Sequence, residues 1–202
     1  MNFLAHLYLS GESEKIMVGN FMADYVKGRK HENYRSDIQK GILLHRSIDF
    51  YTDTHPLVSQ SGQYFREVYR KYSGVVTDVI YDHFLAKNWE LYHQQALPIF
   101  VSRCHEALVK NYLVLPNRVK MFLPFLIKSR RLETYAEIEG LRTALNIMIR
   151  HTSLPDNTDL AIDVLLENYD AIESEFHAFM KDIIAYIENE KEIELKYRIK
   201  KP

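Results

Sequence analysis

The sequence predicts an all-α fold, a single-domain multi-helix bundle. Three observations carry that prediction. Seven glycines and six prolines in 202 residues favour long uninterrupted elements over a turn-rich sandwich or barrel. Between the punctuation at 28–33, Pro56, 73–74, Pro98, Pro116, Gly140 and 155–156, the apolar residues recur at helical rather than alternating spacing. No linker, low-complexity tract or repeat divides the chain, so one domain is expected over 1–202.

Helices are expected at 2–9, 13–27, 36–54, 58–72, 75–93, 98–113, 117–129, 134–151 and 158–190. The first covers NFLAHLYL, in which Asn2 and His6 form an i,i+4 pair on one face. In the second, VGNFMADYV places Asn20 and Asp24 at the same spacing. The third has Ser36 as its expected N-cap and Pro56 as its stop. Its Ile38, Ile42, Leu44, Ile48 and Tyr51 cover more than a narrow stripe, so it should be buried on several sides. His45 and Asp49 project into that buried sector, and Asp53 continues their line by another turn. The fifth helix carries Asp78 and Asp82 in VVTDVIYDHFL, with His83 about 100° around from Asp82. From 107 to 132 the chain has six basic residues, Lys110, Arg118, Lys120, Lys128, Arg130 and Arg131, and no acid. The tail at 193–199 alternates weakly and is compatible with extended chain or more helix.

Composition narrows the functional classes. A hydrophobic fraction of 47% and a charged fraction of 26% describe an ordinary globule and exclude a disordered or collagen-like chain. The formal net charge of -1 gives no global attraction to nucleic acid, and no such partner is expected. A lone cysteine, Cys104, forms neither an internal disulfide nor a Cys-rich zinc site and is expected as a packed thiol. The apolar start is too short for a membrane span and lacks the basic flank of a signal peptide, and Pro124 interrupts the later apolar run. A cytoplasmic protein without a membrane partner is therefore expected, and the sequence gives no indication of oligomeric state.

Buried histidines and carboxylates need strong partners, whether a metal ion, another cation or one another. Four helices that each bring two polar side chains inward can assemble a metal site in a bundle core. Mixed imidazole and carboxylate ligands suit Mn, Fe, Zn or Ni better than calcium. Such an ion polarises a phosphoryl oxygen and lowers the pKa of water toward about 7, which is the chemistry of hydrolysis. The same pairs also have a purely structural explanation: Asp78 as a first-turn carboxylate, Asp53 as a cap or a partner of Arg46, and His6 as a satisfied core histidine. His31, His55, His93, His105, His151 and His177 lack matching neighbours and are set aside.

Four segments in order, MNFLAHLYLSG, GNFMADYVKG, GILLHRSIDFYTDTHP and DVIYDHFLAKNW, resemble the acyl carrier protein phosphodiesterases of bacteria, with further likeness at ALNIMIRH and EFHAFM. The resemblance implies an HD-domain-like, metal-dependent phosphohydrolase. Its reaction would be hydrolysis of the phosphodiester between 4'-phosphopantetheine and a serine of holo acyl carrier protein, with Mn2+ or Mg2+. It points to His6, Asp24, His45, Asp82 and His83 as metal ligands, with Asn20 and Asp49 close by. The Asp82-His83 order is the reverse of the usual HD dyad, so either or both of them are open as ligands; Asp82 is favoured. Asp24, His45, Asp49 and Arg46 are the expected catalytic groups, Arg46 being either a phosphate clamp or an ion-pair partner of Asp49 or Asp53. Acyl carrier proteins are acidic as a class, so Arg130 and Arg131, or the cluster of Lys27, Arg29 and Lys30, are expected to help bind one, with Asn20 also placed on the substrate side. The alternative function is an HD-type phosphohydrolase acting on a nucleotide or other small phosphoester.

Overall fold

The computed structural model of the chain describes residues 2–195. It is helical throughout, in the order α1 (Phe3–Tyr8), α2 (Glu14–Met22), α3 (Ser36–Thr54), α4 (Pro56–Tyr64), α5 (Arg66–Tyr69), α6 (Ser73–Lys87), α7 (Leu97–Lys110), α8 (Asn117–Ser129), α9 (Arg131–Thr134), α10 (Ile138–His151), α11 (Thr158–Glu167) and α12 (Tyr169–Glu190). Short 3-10 turns at Ala23–Tyr25, Gly28–Asn33, Arg70–Tyr72, Trp89–Leu91 and Tyr112–Val114 join several of them. Among the described residues no helix is long and apolar enough to cross a membrane. No strand occurs among them.

The centre of the bundle is α6, whose residues 79–86 are buried without a break, and α1, α4, α10 and α12 pack around it. A helix enclosed on all sides has no polar stripe, which explains why VVTDVIYDHFL shows little amphipathic pattern. The helices α2 and α3 meet backbone to backbone at Gly19 and Gly41. A Cβ on Gly19 would collide with the carbonyl oxygen of Ile38, and one on Gly41 with that of Ile16. Only glycine permits this approach, and it sets the neighbouring Asn20 against His45.

Several expected elements are subdivided. The span 58–72 is α4, α5 and a 3-10 turn, ending at Arg70 with φ 49° and ψ -119°, a backbone region that L side chains seldom adopt. The span 158–190 breaks at Asn168, whose side-chain amide donates to the carbonyl of Val164 and competes with the helical ladder. The span 134–151 is α10 preceded by the short α9. Ser36 is the first residue of α3 and not its cap, and Pro56 opens α4 at its first position. In the tail, residues 193–195 are non-helical with Ile193 and Leu195 buried, while 196–199 lie outside the described residues. Cys104 is buried, as expected, with its thiol pushed up by burial.

The shortest of the site-bearing helices depends on a distant cap. The Asp82 carboxylate, completely buried on α6, accepts from the backbone N–H groups of Leu4 at 2.8 Å and Ala5 at 3.0 Å. That is the work of an N-cap, done by a residue 78 positions away, while Asn2 makes no side-chain cap bond. Burial lifts this carboxyl to about 7 against the opposing pull of the two amides. Asp82→Asn removes one acceptor and should cost about 1–3 kcal/mol. Urea denaturation in the presence of chelator checks this, since a purely metal-ligating Asp82 would leave ion-free stability unchanged.

Candidate metal centre

Five side chains from four elements converge. His6 comes from α1, Asn20 from α2, Asp24 from the turn Ala23–Tyr25, and His45 and Asp49 from α3. The two imidazoles stack with centroids 4.0 Å apart and planes tilted by 20°. His6 Nε2 lies 3.1 Å from Asp49 Oδ1, and His45 Nε2 lies 3.1 Å from Asp49 Oδ2 and 3.4 Å from Asp24 Oδ1. One donor atom each from His6, His45 and Asp49 fits within 4.8 Å.

Asn20 organises this cluster. Its Oδ1 accepts from Nδ1–H of His6 at 2.9 Å and from Nδ1–H of His45 at 3.1 Å. Its Nδ2 donates to the carbonyl of His6 and to Ser10 Oγ, both at 2.9 Å, which fixes the amide orientation. Ser10 Oγ in turn donates to the His6 carbonyl at 2.7 Å. With both Nδ1 atoms serving as donors, both Nε2 atoms are turned toward Asp49, where a carboxylate pair faces them. A cavity of about 20 Å³ bounded by Asn2, Phe3, His6, Asn20, Phe21, Asp24 and His45 adjoins these atoms, space on the scale of one small ion or water.

The electrostatics are asymmetric. Burial, reinforced by the neighbouring His45, pushes His6 down to about 4. Burial alone would also lower His45, but hydrogen bonds to Asp24 and Asp49 outweigh it and raise the ring to about 9. Burial raises Asp49, but the hydrogen bond from His45 outweighs it, so its carboxyl stays well below the ordinary range. Asp24 is lowered chiefly by its bond to His45. The ion-free site thus holds one proton, on His45 Nε2, between two carboxylates.

Other expected site residues lie elsewhere. Asp82 caps α1. His83 donates from Nδ1 to the Tyr135 carbonyl at 2.8 Å and accepts from the Tyr169 hydroxyl at 2.7 Å, so neither residue of this pair joins the cluster. Both instead help pack α1 and α12 onto α6. Arg46 donates from Nη2 to the carbonyls of Val26 at 3.0 Å and Gly28 at 2.8 Å and ties down the segment after Asp24. Asn20, expected at the substrate, is completely buried behind the imidazoles. Lys27 flanks the Gly28–Asn33 turn. Arg130 pairs with Glu133, and Arg131 stacks over the Phe125 ring at 5.3 Å. Ser10 carried no sequence signal, since its role depends on the loop after α1 returning to α2. Asp49 was visible through its i,i+4 relation to His45.

The two histidine shifts set the acid–base behaviour of the ion-free protein. An unfolded histidine titrates near about 6.5. His45, raised when folded, contributes stability that is complete below that value and is lost as pH rises through 9. His6, lowered when folded, contributes stability that is complete above it and is lost as pH falls through 4. Ion-free stability attributable to this pair should therefore peak near neutrality and fall on both sides. Imidazole NMR of the chelated protein should show the two rings titrating several units apart; a shared midpoint near the unperturbed value would refute the arrangement.

Replacing Asn20 with alanine provides a second check. Without the amide oxygen both tautomers are released, and divalent-ion affinity should fall about 10–100-fold, as for other groups that orient ligating histidines. Calorimetric titration with Mn2+ measures it, and unchanged affinity would remove the orienting role.

Comparison with known proteins gives a consistent family. The model of the family described as acyl carrier protein phosphodiesterase matches residues 1–183. Among relatives named acyl carrier protein phosphodiesterase, that of Photorhabdus laumondii is 32% identical over 186 residues, covering 90% of this chain and 94% of its own. That of an Enterobacter species is 33% identical over 193 residues, covering 94% and 98%. The Yersinia pestis protein is 37% identical over 149 residues, covering 73% and 77%. No solved structure matches.

Proposed function

The chain belongs to the acyl carrier protein phosphodiesterase family, and from that premise we propose that it hydrolyses the phosphodiester joining 4'-phosphopantetheine to a serine of holo acyl carrier protein, at the centre formed by His6, Asp24, His45 and Asp49. The observation that carries the site assignment is the pair of imidazoles locked by one amide with both Nε2 atoms aimed at a shared carboxylate.

The donor set fits a divalent cation. Two carboxylates and one imidazolium leave the ion-free cluster with an uncompensated negative charge in a mostly buried place; a doubly charged ion in place of the His45 proton brings the sum to zero. Two imidazole nitrogens suit Mn2+ better than Mg2+, which prefers oxygen and water. His6, His45 and Asp49 would hold the ion, with Asp24 at its exposed edge. When bound, the ion supplies Lewis-acid stabilisation of the charge that grows on the phosphoryl oxygens and acidifies water. The protein's own groups do the rest. Asn20 keeps both imidazoles in the ligating tautomer. The buried rings and Phe3 and Phe21 close the inner side to solvent. Asp24, with its side chain 59% exposed, and Asp49, at 40%, mark the open side from which a phosphodiester approaches. Arg118 and Lys128, which form no ion pair among the described residues, are the charges on α8 left available to an acidic carrier protein.

Purified protein incubated with holo acyl carrier protein and Mn2+ should yield apo protein by intact mass, and chelator should stop the reaction. His45→Ala and Asp49→Ala should each lower the rate by about 100-fold or more while preserving helical content, as expected for loss of a group that holds the ion. Full activity in either variant, or in chelator, would dismiss the site. Turnover of nucleotides with the carrier protein inert would transfer the site to the alternative substrate class.

A further inference from the structure

The cluster that holds the scissile phosphorus in the proposed reaction adjoins a pocket of only about 20 Å³, too little for any part of a substrate beyond the reacting group. A much larger cavity, about 540 Å³, opens where α4, the Arg70–Tyr72 turn and the start of α6 meet the end of α3. Its volume falls in the range of small-ligand sites, about 300–1,000 Å³. It is also next to the centre. Its wall includes Asp53, four residues beyond Asp49 on α3 and hence about 6 Å along the axis. Asp78 of α6 completes that side. Burial raises its carboxyl above the ordinary value.

The chemistry of the wall is mixed. Arg66, Arg70 and Lys71 supply donors on one side and Asp53 supplies an acceptor on the other, while Asp78 already has a partner. The hydroxyls of Ser59 and Ser73 and the amide of Gln63 offer both. A bare anion would meet the Asp53 carboxylate and a bare cation would meet three basic groups, so neither matches the whole wall. A secondary amide presents one N–H and one carbonyl, and a flexible chain of such amides can use both sides of the wall. The backbone of Arg70, at φ 49°, is held in a strained conformation at this wall, a condition that surrounding structure retains chiefly where it serves a ligand site. The cations Arg66 and Arg70 form no ion pair among the described residues.

We infer that this cavity receives the amide-bearing arm of the substrate, entering past Asp49 and Asp53 while the phosphate stays at the histidine centre. The inference rests on the phosphodiesterase reading above and adds to it a second, separate binding site.

Gly74 allows a direct test. It lines the cavity, a Cβ built on it meets nothing within 4 Å, and its φ is not in the left-handed region. Gly74→Phe therefore fills the void without backbone strain, and Ser59→Trp fills it from α4 should the first variant fold poorly. The probe is pantetheine, the arm without its phosphate, titrated calorimetrically into ion-free protein. Binding is expected in the wild type, retained in His45→Ala, and lost in the filled variants. In turnover, filling should raise KM for holo acyl carrier protein by about tenfold or more, the loss expected when a contact surface is blocked, and leave kcat/KM for bis(4-nitrophenyl) phosphate within about twofold. Absence of pantetheine binding to wild type, or binding undiminished in a folded Gly74→Phe, overturns the assignment. Because that binding is read without catalysis, it stands or falls independently of whether the carrier protein is hydrolysed.

Discussion

One amide oxygen determines what the centre can do. Asn20 Oδ1 has two lone pairs and spends both on imidazole N–H groups, so two histidines from helices far apart in sequence adopt one tautomer and one orientation. Had the His45 ring been free to turn, its Nε2 would not face Asp49, and the carboxylate would have lost the hydrogen bond that keeps it ionised. The amide is itself immobilised by Ser10 and the His6 carbonyl. That inner layer is buried.

That layer exists because two glycines let α2 and α3 touch. The contact of Gly19 with the backbone of Ile38, and of Gly41 with that of Ile16, places residue 20 one position from the crossing and residue 45 one turn beyond it. Larger residues there would separate the helices and draw Asn20 away from His45, with Asp24 following. The energetic cost of glycine in a helix interior, about 1 kcal/mol each relative to alanine, is thus accepted at the positions where the site needs proximity.

Much of the centre was legible because its chemistry leaves a local trace. His45 and Asp49, and Asn20 and Asp24, are i,i+4 pairs in apolar helices, and each pair contributes to the cluster. Asp78 and Asp82 carry the same trace and do something else. Their spacing is indistinguishable from the others, and only the docking of α1 against α6 shows that Asp82 meets backbone amides. Arg46, adjacent to His45 in sequence, lies about 100° around the helix from it, toward the carbonyls of Val26 and Gly28. Long periodic helices such as α3 and α8 were recovered at both ends, whereas the divisions near Phe65 and Asn168 turn on single residues and tertiary contacts that periodicity does not encode.

The cap on α1 also orders events during synthesis. His6 leaves the ribosome early, on a six-residue helix far too short to persist alone. Its amides find their acceptor only when Asp82 has been made, by which time Asn20, His45 and Asp49 have already emerged. The first ligand-bearing segment translated is thus the last to be seated. A nascent chain exposes His6 without a completed cluster around it until α6 has been made.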